Sequence, residues 1–109
     1  MDKIVKIFQP SGILDGTTSP NFREEIQKLI NDQAKIILID FKDVKFMDSS
    51  GLGALILSLK NIRSAGIKLA VCSINSQIRM LFELTSMDRV FEIYENREEF
   101  NNNILSQKS

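Results

Sequence analysis

The stretch Lys35-Ile36-Ile37-Leu38-Ile39-Asp40-Phe41 constrains the fold more than any other part of this chain. It is too short and too continuous in β-branched residues for a helix, and successive side chains of a strand point to opposite faces. A strand apolar on both faces must be covered on both, which is the place of a central strand in an α/β sheet.

The neighbouring stretches supply the cover. Ile4-Val5-Lys6-Ile7-Phe8 and Ile13-Leu14 read as short strands across Pro10-Ser11-Gly12, most simply as a hairpin. Thr17-Thr18-Ser19-Pro20 is a helix start, a hydroxyl cap with proline at the first helical position. Phe22, Ile26, Leu29 and Ile30 follow as one apolar stripe, and that helix should end near Asn31-Asp32. After Lys42 to Phe46, a second helix runs from Ser50 to Ala65 with Leu52, Leu55, Ile56, Leu59 and Ile62 on its apolar face, and Gly66 is placed to end it with positive φ. Ile67 to Cys72 is a strand whose Ile67, Leu69 and Val71 form the more apolar face. Asn75-Ser76 caps a helix carrying Ile78, Leu81, Phe82 and Thr85 on one face, and Val90 to Tyr94 is a last strand. Asn96 caps a C-terminal helix over 96–105, with Phe100, Ile104 and Leu105 as its stripe and a frayed tail at 106–109. The order β-β-α-β-α-β-α-β-α implies parallel pairs joined by right-handed crossovers. A mixed central sheet of four to five strands packed with about four helices is expected, in one α/β domain over 1–109.

Length and charge narrow the function. A chain of 109 residues holds one domain, and 14 basic against 14 acidic residues give no bulk attraction to nucleic acid or to an anionic membrane. No apolar run approaches the roughly 20 residues of a membrane span, and the N-terminus lacks the pattern of a signal peptide, so a cytoplasmic location is expected. There is no histidine, which removes Ser-His and Cys-His catalysis and His-bound zinc; the single Cys72 excludes an internal disulfide and reads as a buried small hydrophobe.

The candidate site is Met47-Asp48-Ser49-Ser50-Gly51-Leu52-Gly53, where an apolar run hands over to a helix N-terminus. Backbone N–H groups there lack intrahelical partners, so the place suits a cap, an anion, or a serine that gains and loses a phosphate. A cap alone, worth about 1 kcal/mol, is the simplest reading. One hydroxyl suffices for that, however, and two glycines each cost roughly 1 kcal/mol of helix propensity while allowing another surface to come close. A nucleotide loop fails for want of a third glycine or a Gly-Lys-Ser/Thr, and the serine-hydrolase pattern Gly-x-Ser-x-Gly is absent. A serine nucleophile paired with lysine stays open on sequence.

Ile13-Leu14-Asp15, the Thr17 to Pro20 helix start, Ile36 to Phe41, Val44 to Gly53 and Ile78-Arg79-Met80-Leu81-Phe82 together resemble the STAS domain of bacterial anti-sigma factor antagonists. The resemblance covers a core from about residue 4 to 94. It implies a protein that is not an enzyme and needs no cofactor or metal. Its unphosphorylated form would bind an anti-sigma factor that is also an ATP-dependent serine kinase, releasing a sigma factor or other target. Ser49 would be the phosphate acceptor, with Ser50 a neighbour that is not the usual one, and a PP2C-type serine phosphatase would restore activity. The partner surface would comprise Asp15, Asp48, Ser49, Ser50, Gly51, Leu52 and Gly53. A constitutive interaction or scaffold domain is the alternative.

Other residues weigh two ways. Asp15 either meets the kinase or braces the turn before Gly16, and Asp48 both orients the acceptor hydroxyl and satisfies backbone donors. Ile78, Leu81 and Phe82 read as core, and packing is the better reading for most of Met47, Met80 and Met87. Since no large apolar stripe is left over, a monomer that forms hetero-complexes is expected. Where the family often has a glycine before the last strand, this chain has Thr85-Ser86-Met87-Asp88-Arg89, so that loop is open.

Overall fold

The computed structural model describes residues 5–107. Six strands, four α-helices and one 3₁₀ turn follow in the order β1 (Val5–Phe8), β2 (Ser11–Leu14), α1 (Ser19–Asn31), β3 (Ile36–Asp40), β4 (Asp43–Met47), α2 (Ser49–Ser64), β5 (Lys68–Cys72), α3 (Ser76–Leu84), the 3₁₀ turn Met87–Arg89, β6 (Glu92–Tyr94) and α4 (Arg97–Gln107). This is the expected α/β domain with four helices. β1, β3, β5 and β6 form a four-stranded sheet in the order β1-β3-β5-β6, and β2 and β4 form a separate pair.

The central strand behaves as its composition requires. All of Ile36 to Asp40 is buried, with Ile37 and Ile39 in a core shared with α1, α2 and α3, and Ile36 and Leu38 in a second core under α4. β5 repeats the arrangement. Leu69 and Val71 enter the larger core, but Ala70 and Cys72 are equally buried, beside Tyr94, Phe100 and Ile104, so both faces of that strand are covered. Burial raises the Cys72 thiol pKa, in keeping with a small hydrophobe.

Two expectations at the N-terminal end are corrected. β1 and β2 do not form a hairpin: β1 pairs in parallel with β3 and β2 in parallel with β4. Pro10 has no N–H to donate, so the ladder breaks there and resumes with new partners. β4 is a strand the apolar pattern did not reveal, because a register shift between Gly12 and Ile13 leaves Lys45 outside the pairing and separates its buried Val44 and Met47 by three residues instead of two. Ile4, residues 108–109 and the side chain of Leu105 lie outside the described residues; α4 continues to Gln107, past the expected end at 105.

Helix ends are set locally. Asn75 Oδ1 accepts the Ile78 N–H at 2.9 Å and Asn96 Oδ1 the Glu99 N–H at 2.9 Å, as their positions before apolar stripes predict. Gly66 takes φ +77° after α2. α1 begins at Ser19, so Pro20 stands at its second position, and Thr18 makes no side-chain cap. On α2, Leu52, Leu55, Leu59 and Ile62 are buried, whereas Ile56 is exposed because its angle around the helix falls outside the core stripe. Ile78 and Phe82 are fully buried and Leu81 packs against the core, while Thr85 is exposed and returns its hydroxyl to the Leu81 carbonyl at 2.7 Å. Met47 is buried and Met87 packs partly against the core, as expected for most of the three, while Met80 is 60% exposed.

The open loop resolves itself through Ser86, which adopts a left-handed conformation at φ 60°, ψ 18°. Serine there performs a turn for which glycine is better suited. At the end of β3, Arg97 Nε donates to the buried Asp40 at 2.7 Å, the Lys42 N–H adds a bond at 3.0 Å, and Arg97 also donates to Gln9, whose amide donates to Asp43 at 2.7 Å. Burial opposes the Asp40 charge, but the Arg97 and Lys42 hydrogen bonds win and hold its pKa below the ordinary value.

Three measurements of unfolding check this account. A Cβ at Gly51 would sit 2.1 Å from the Leu14 carbonyl oxygen, whereas nothing lies within 4 Å of one at Gly53. Gly51→Ala should therefore destabilise by about 2 kcal/mol, the clash outweighing a propensity gain of roughly 1 kcal/mol, and Gly53→Ala should stabilise by about 0.5–1 kcal/mol. Ser86→Gly should stabilise by about 0.5–1 kcal/mol and raise Tm by about 3 °C. Arg97→Ala should cost about 2 kcal/mol at neutral pH, less than a fully buried pair would because Arg97 is half-exposed. Asp40's depressed carboxyl lends stability that is present above the unfolded pKa and lost as pH falls through the folded one, so the gap between Arg97→Ala and wild type should close as pH drops below about 4.

Candidate functional site

Asp48 is the cap of α2. Its backbone is extended, at φ −104°, and Oδ1 accepts the Gly51 N–H at 2.9 Å while its carbonyl accepts the Leu52 N–H at 2.9 Å. Ser49 and Ser50 take the first two helical positions with their side chains exposed. The cap therefore uses the carboxylate and leaves both hydroxyls facing outward, at the end of a helix where partial positive charge favours an anion.

The neighbouring turn is brought against this end by backbone contacts. The Asp48 N–H donates to the Leu14 carbonyl at 3.2 Å, and the buried Gly51 lets the helix backbone rest on that same carbonyl. Asp15, the next residue after Leu14, is thus held beside Asp48-Ser49-Ser50. Its Oδ1 accepts from the Thr17 hydroxyl at 2.7 Å, the Thr17 N–H at 2.9 Å and the Thr18 N–H at 3.2 Å. The Thr17 hydroxyl, followed by the Thr18 and Thr17 amides, lowers the Asp15 pKa, so this carboxylate stays ionised at neutral pH. Bracing the turn is a role the structure gives Asp15 directly. The Ser19 hydroxyl donates to the Asp15 carbonyl and lies 3.5 Å from the Ser50 carbonyl, and a Cβ at Gly16 would lie 3.8 Å from the Ser50 side chain.

Of the seven expected partner-surface residues, Ser49 and Ser50 are exposed and Asp15, Asp48 and Gly53 half-buried. Gly53 lines a shallow concavity with Gly16, Ser19, Arg23 and Ser50. Gly51 and Leu52 are buried, facing Leu14 and the core, so they seat the helix instead of offering surface. No large apolar stripe was expected to be left over, and individual apolar side chains do stand open. Ile13 and Phe46, register partners across β2 and β4, are 52% and 44% exposed, and Leu57, Met80 and Leu84 are also open. Sequence inspection missed Ile13 and Phe46 because their outward direction depends on the register shift in that pair.

Among the described residues no helix is long and apolar enough to cross a membrane, and no cluster of three metal-ligating side chains occurs. The STAS domain family matches residues 2–100 of the chain. The anti-sigma F factor antagonist of Paenibacillus polymyxa is 34% identical over 93 residues, spanning 84% of this chain and 80% of that protein. A solved structure described as a candidate anti-sigma factor antagonist, from Thermotoga maritima, matches with a TM-score of 0.84 at 28% identity, over 93% of this chain and 90% of that one. The Bacillus anti-sigma factor antagonist SpoIIAA shares the fold at 17% identity, with TM-scores of 0.75 for its unphosphorylated form, over 94% and 90% of the two chains, and 0.68 for its phosphorylated form, over 94% and 93%. With the family match running through every strand and through the capped serine pair of α2, this chain belongs to the STAS domain family, among the anti-sigma factor antagonists.

Proposed function

We propose that the protein is a phosphoregulated anti-sigma factor antagonist. In its unphosphorylated form it binds an anti-sigma factor that is also an ATP-dependent serine kinase, and so frees a sigma factor or another target. The kinase phosphorylates Ser49, which ends binding, and a PP2C-type serine phosphatase restores it. The protein is the substrate of these enzymes and acts in the cytoplasm, as a monomer that enters hetero-complexes.

The observation that carries this reading is the exposure of Ser49 at the first position of α2, beside a capping Asp48 whose carboxylate is already hydrogen-bonded to the Gly51 amide. A hydroxyl not required by the cap is available for transfer. A phosphate would add about −1.5 to −2 charge at a helix N-terminus, where the fold itself accommodates an anion. It would also stand by the carboxylates of Asp15 and Asp48, on the junction where the Asp48 N–H meets the Leu14 carbonyl. A partner surface shaped for a neutral hydroxyl and apolar side chains would have to desolvate that dianion, and a penalty of roughly 3–4 kcal/mol weakens binding by two to three decades. The name of the Paenibacillus polymyxa relative agrees with an anti-sigma factor as the partner.

The test begins with the wild-type protein immobilised in extract of its own cell, followed by identification of the retained kinase, incubation with ATP and mapping of the phosphopeptide. Phosphate should fall on Ser49, and Ser49→Asp should bind the retained partner about 100- to 1,000-fold more weakly by titration calorimetry. Equal affinity of Ser49→Asp and wild type would instead assign a constitutive scaffold. Retention of no ATP-dependent kinase, or an acceptor other than Ser49 and Ser50, would overturn the reading.

A further inference from the structure

β4 has a neighbour on only one side. β2 pairs with it along one edge, and the other edge is turned toward the first turn of α3. At Met47, the last residue of β4, the backbone N–H donates to Gln77 Oε1 at 2.9 Å and the carbonyl accepts from Gln77 Nε2 at 2.8 Å. A single side-chain amide thereby makes the two hydrogen bonds that an adjacent strand would make. The Asn75 amide continues the contact, donating to the Val44 and Lys45 carbonyls at 3.3 and 3.1 Å.

Met47 immediately precedes the cap. Its N–H and carbonyl are held from the α3 side by Gln77, while the Asp48 N–H is held from the opposite side by the Leu14 carbonyl. The peptide entering α2 is thus fixed from both edges just before Ser49. A reacting hydroxyl displaced by about 1 Å loses much of its transfer rate, so a two-point clamp two residues upstream bears directly on reactivity. We propose that Gln77 is a positioning residue for Ser49, holding the strand end so that the acceptor hydroxyl is presented in one place to the kinase. This rests on the reading of Ser49 as acceptor.

The experiment compares wild type, Gln77→Ala, the nearly isosteric Gln77→Glu and Ile78→Val, using ATP and the kinase retained by the wild-type protein. Gln77→Glu keeps an acceptor for the Met47 N–H but sets a carboxylate oxygen against the Met47 carbonyl. Ile78→Val loosens the packing of the same helix without touching the backbone of β4. Both Gln77 variants should be phosphorylated at Ser49 at least 10-fold more slowly, with the loss in kcat and little change in KM. The Met47 amide should lose protection from hydrogen exchange and the Ser49 and Ser50 amide resonances should shift. Ile78→Val should keep wild-type kinetics despite a lower Tm. Should Gln77→Ala fail to fold, Gln77→Glu carries the comparison. Labelling of both folded Gln77 variants at the wild-type rate, or a slowing no greater than that of Ile78→Val, would overturn the clamp while leaving Ser49 as acceptor. No label at Ser49 of the wild type would overturn the acceptor reading and the clamp with it.

Discussion

The close approach of α2 to the end of β2 is the constraint from which the site follows. A helix backbone comes so near the Leu14 carbonyl that no side chain fits at Gly51, and the Asp48 N–H bonds to the same oxygen. That one carbonyl joins two segments more than thirty residues apart and places the Asp15 turn next to the serine pair. The burial that pays for the contact lies elsewhere, in the large core where Leu14, Met47, Leu52 and Leu55 meet. A rigid strand–helix junction is therefore available to carry two exposed hydroxyls without those hydroxyls having any structural duty.

Much of this was legible in the sequence wherever the determining physics is local. Asn75 and Asn96 are legible as caps from their place before an apolar stripe, because a cap bonds within three residues, whereas the Asp48-Ser49-Ser50 block does not by itself say which residue caps α2. The central strand declared its two covered faces through an uninterrupted run of apolar residues. The pairing of β1 and β2 was not legible, since Pro10-Ser11-Gly12 serves equally as a hairpin turn and as a break between successive parallel pairs. β4 escaped notice for a related reason: the register shift beside Gly12 spoils the period of two by which strands are recognised. The outward direction of Phe46 and the hold of Gln77 on Met47 are tertiary facts, the latter across thirty positions, and no local pattern announces them.

Resemblance and geometry divide the work differently for the individual site residues. The family block around Ser49 drew attention to seven positions as one surface. In the folded chain they separate into exposed hydroxyls at the helix end, Ser49 and Ser50, residues that brace the junction, Asp15 and Asp48, and residues that seat the helix, Gly51 and Leu52. Gly53 stands apart, with no neighbour of its own within reach of a side chain. In the loop before β6, Ser86 shows that a left-handed turn can be held by serine, at the cost of a strained backbone.

The amides of Asn75 and Gln77 along β4 also bear on what this chain does in a crowded cell. Each strand of a two-stranded pair has an outer edge, and an uncovered one would offer unpaired carbonyls and N–H groups to any passing strand, the usual start of edge-to-edge aggregation. With Val44, Lys45 and Met47 bonded to the side chains of Asn75, the cap of α3, and Gln77 in its first turn, the β4 edge is covered by the chain itself. A domain that leaves the apolar Phe46 open on β4 can do so while denying the backbone of that strand to unwanted pairing.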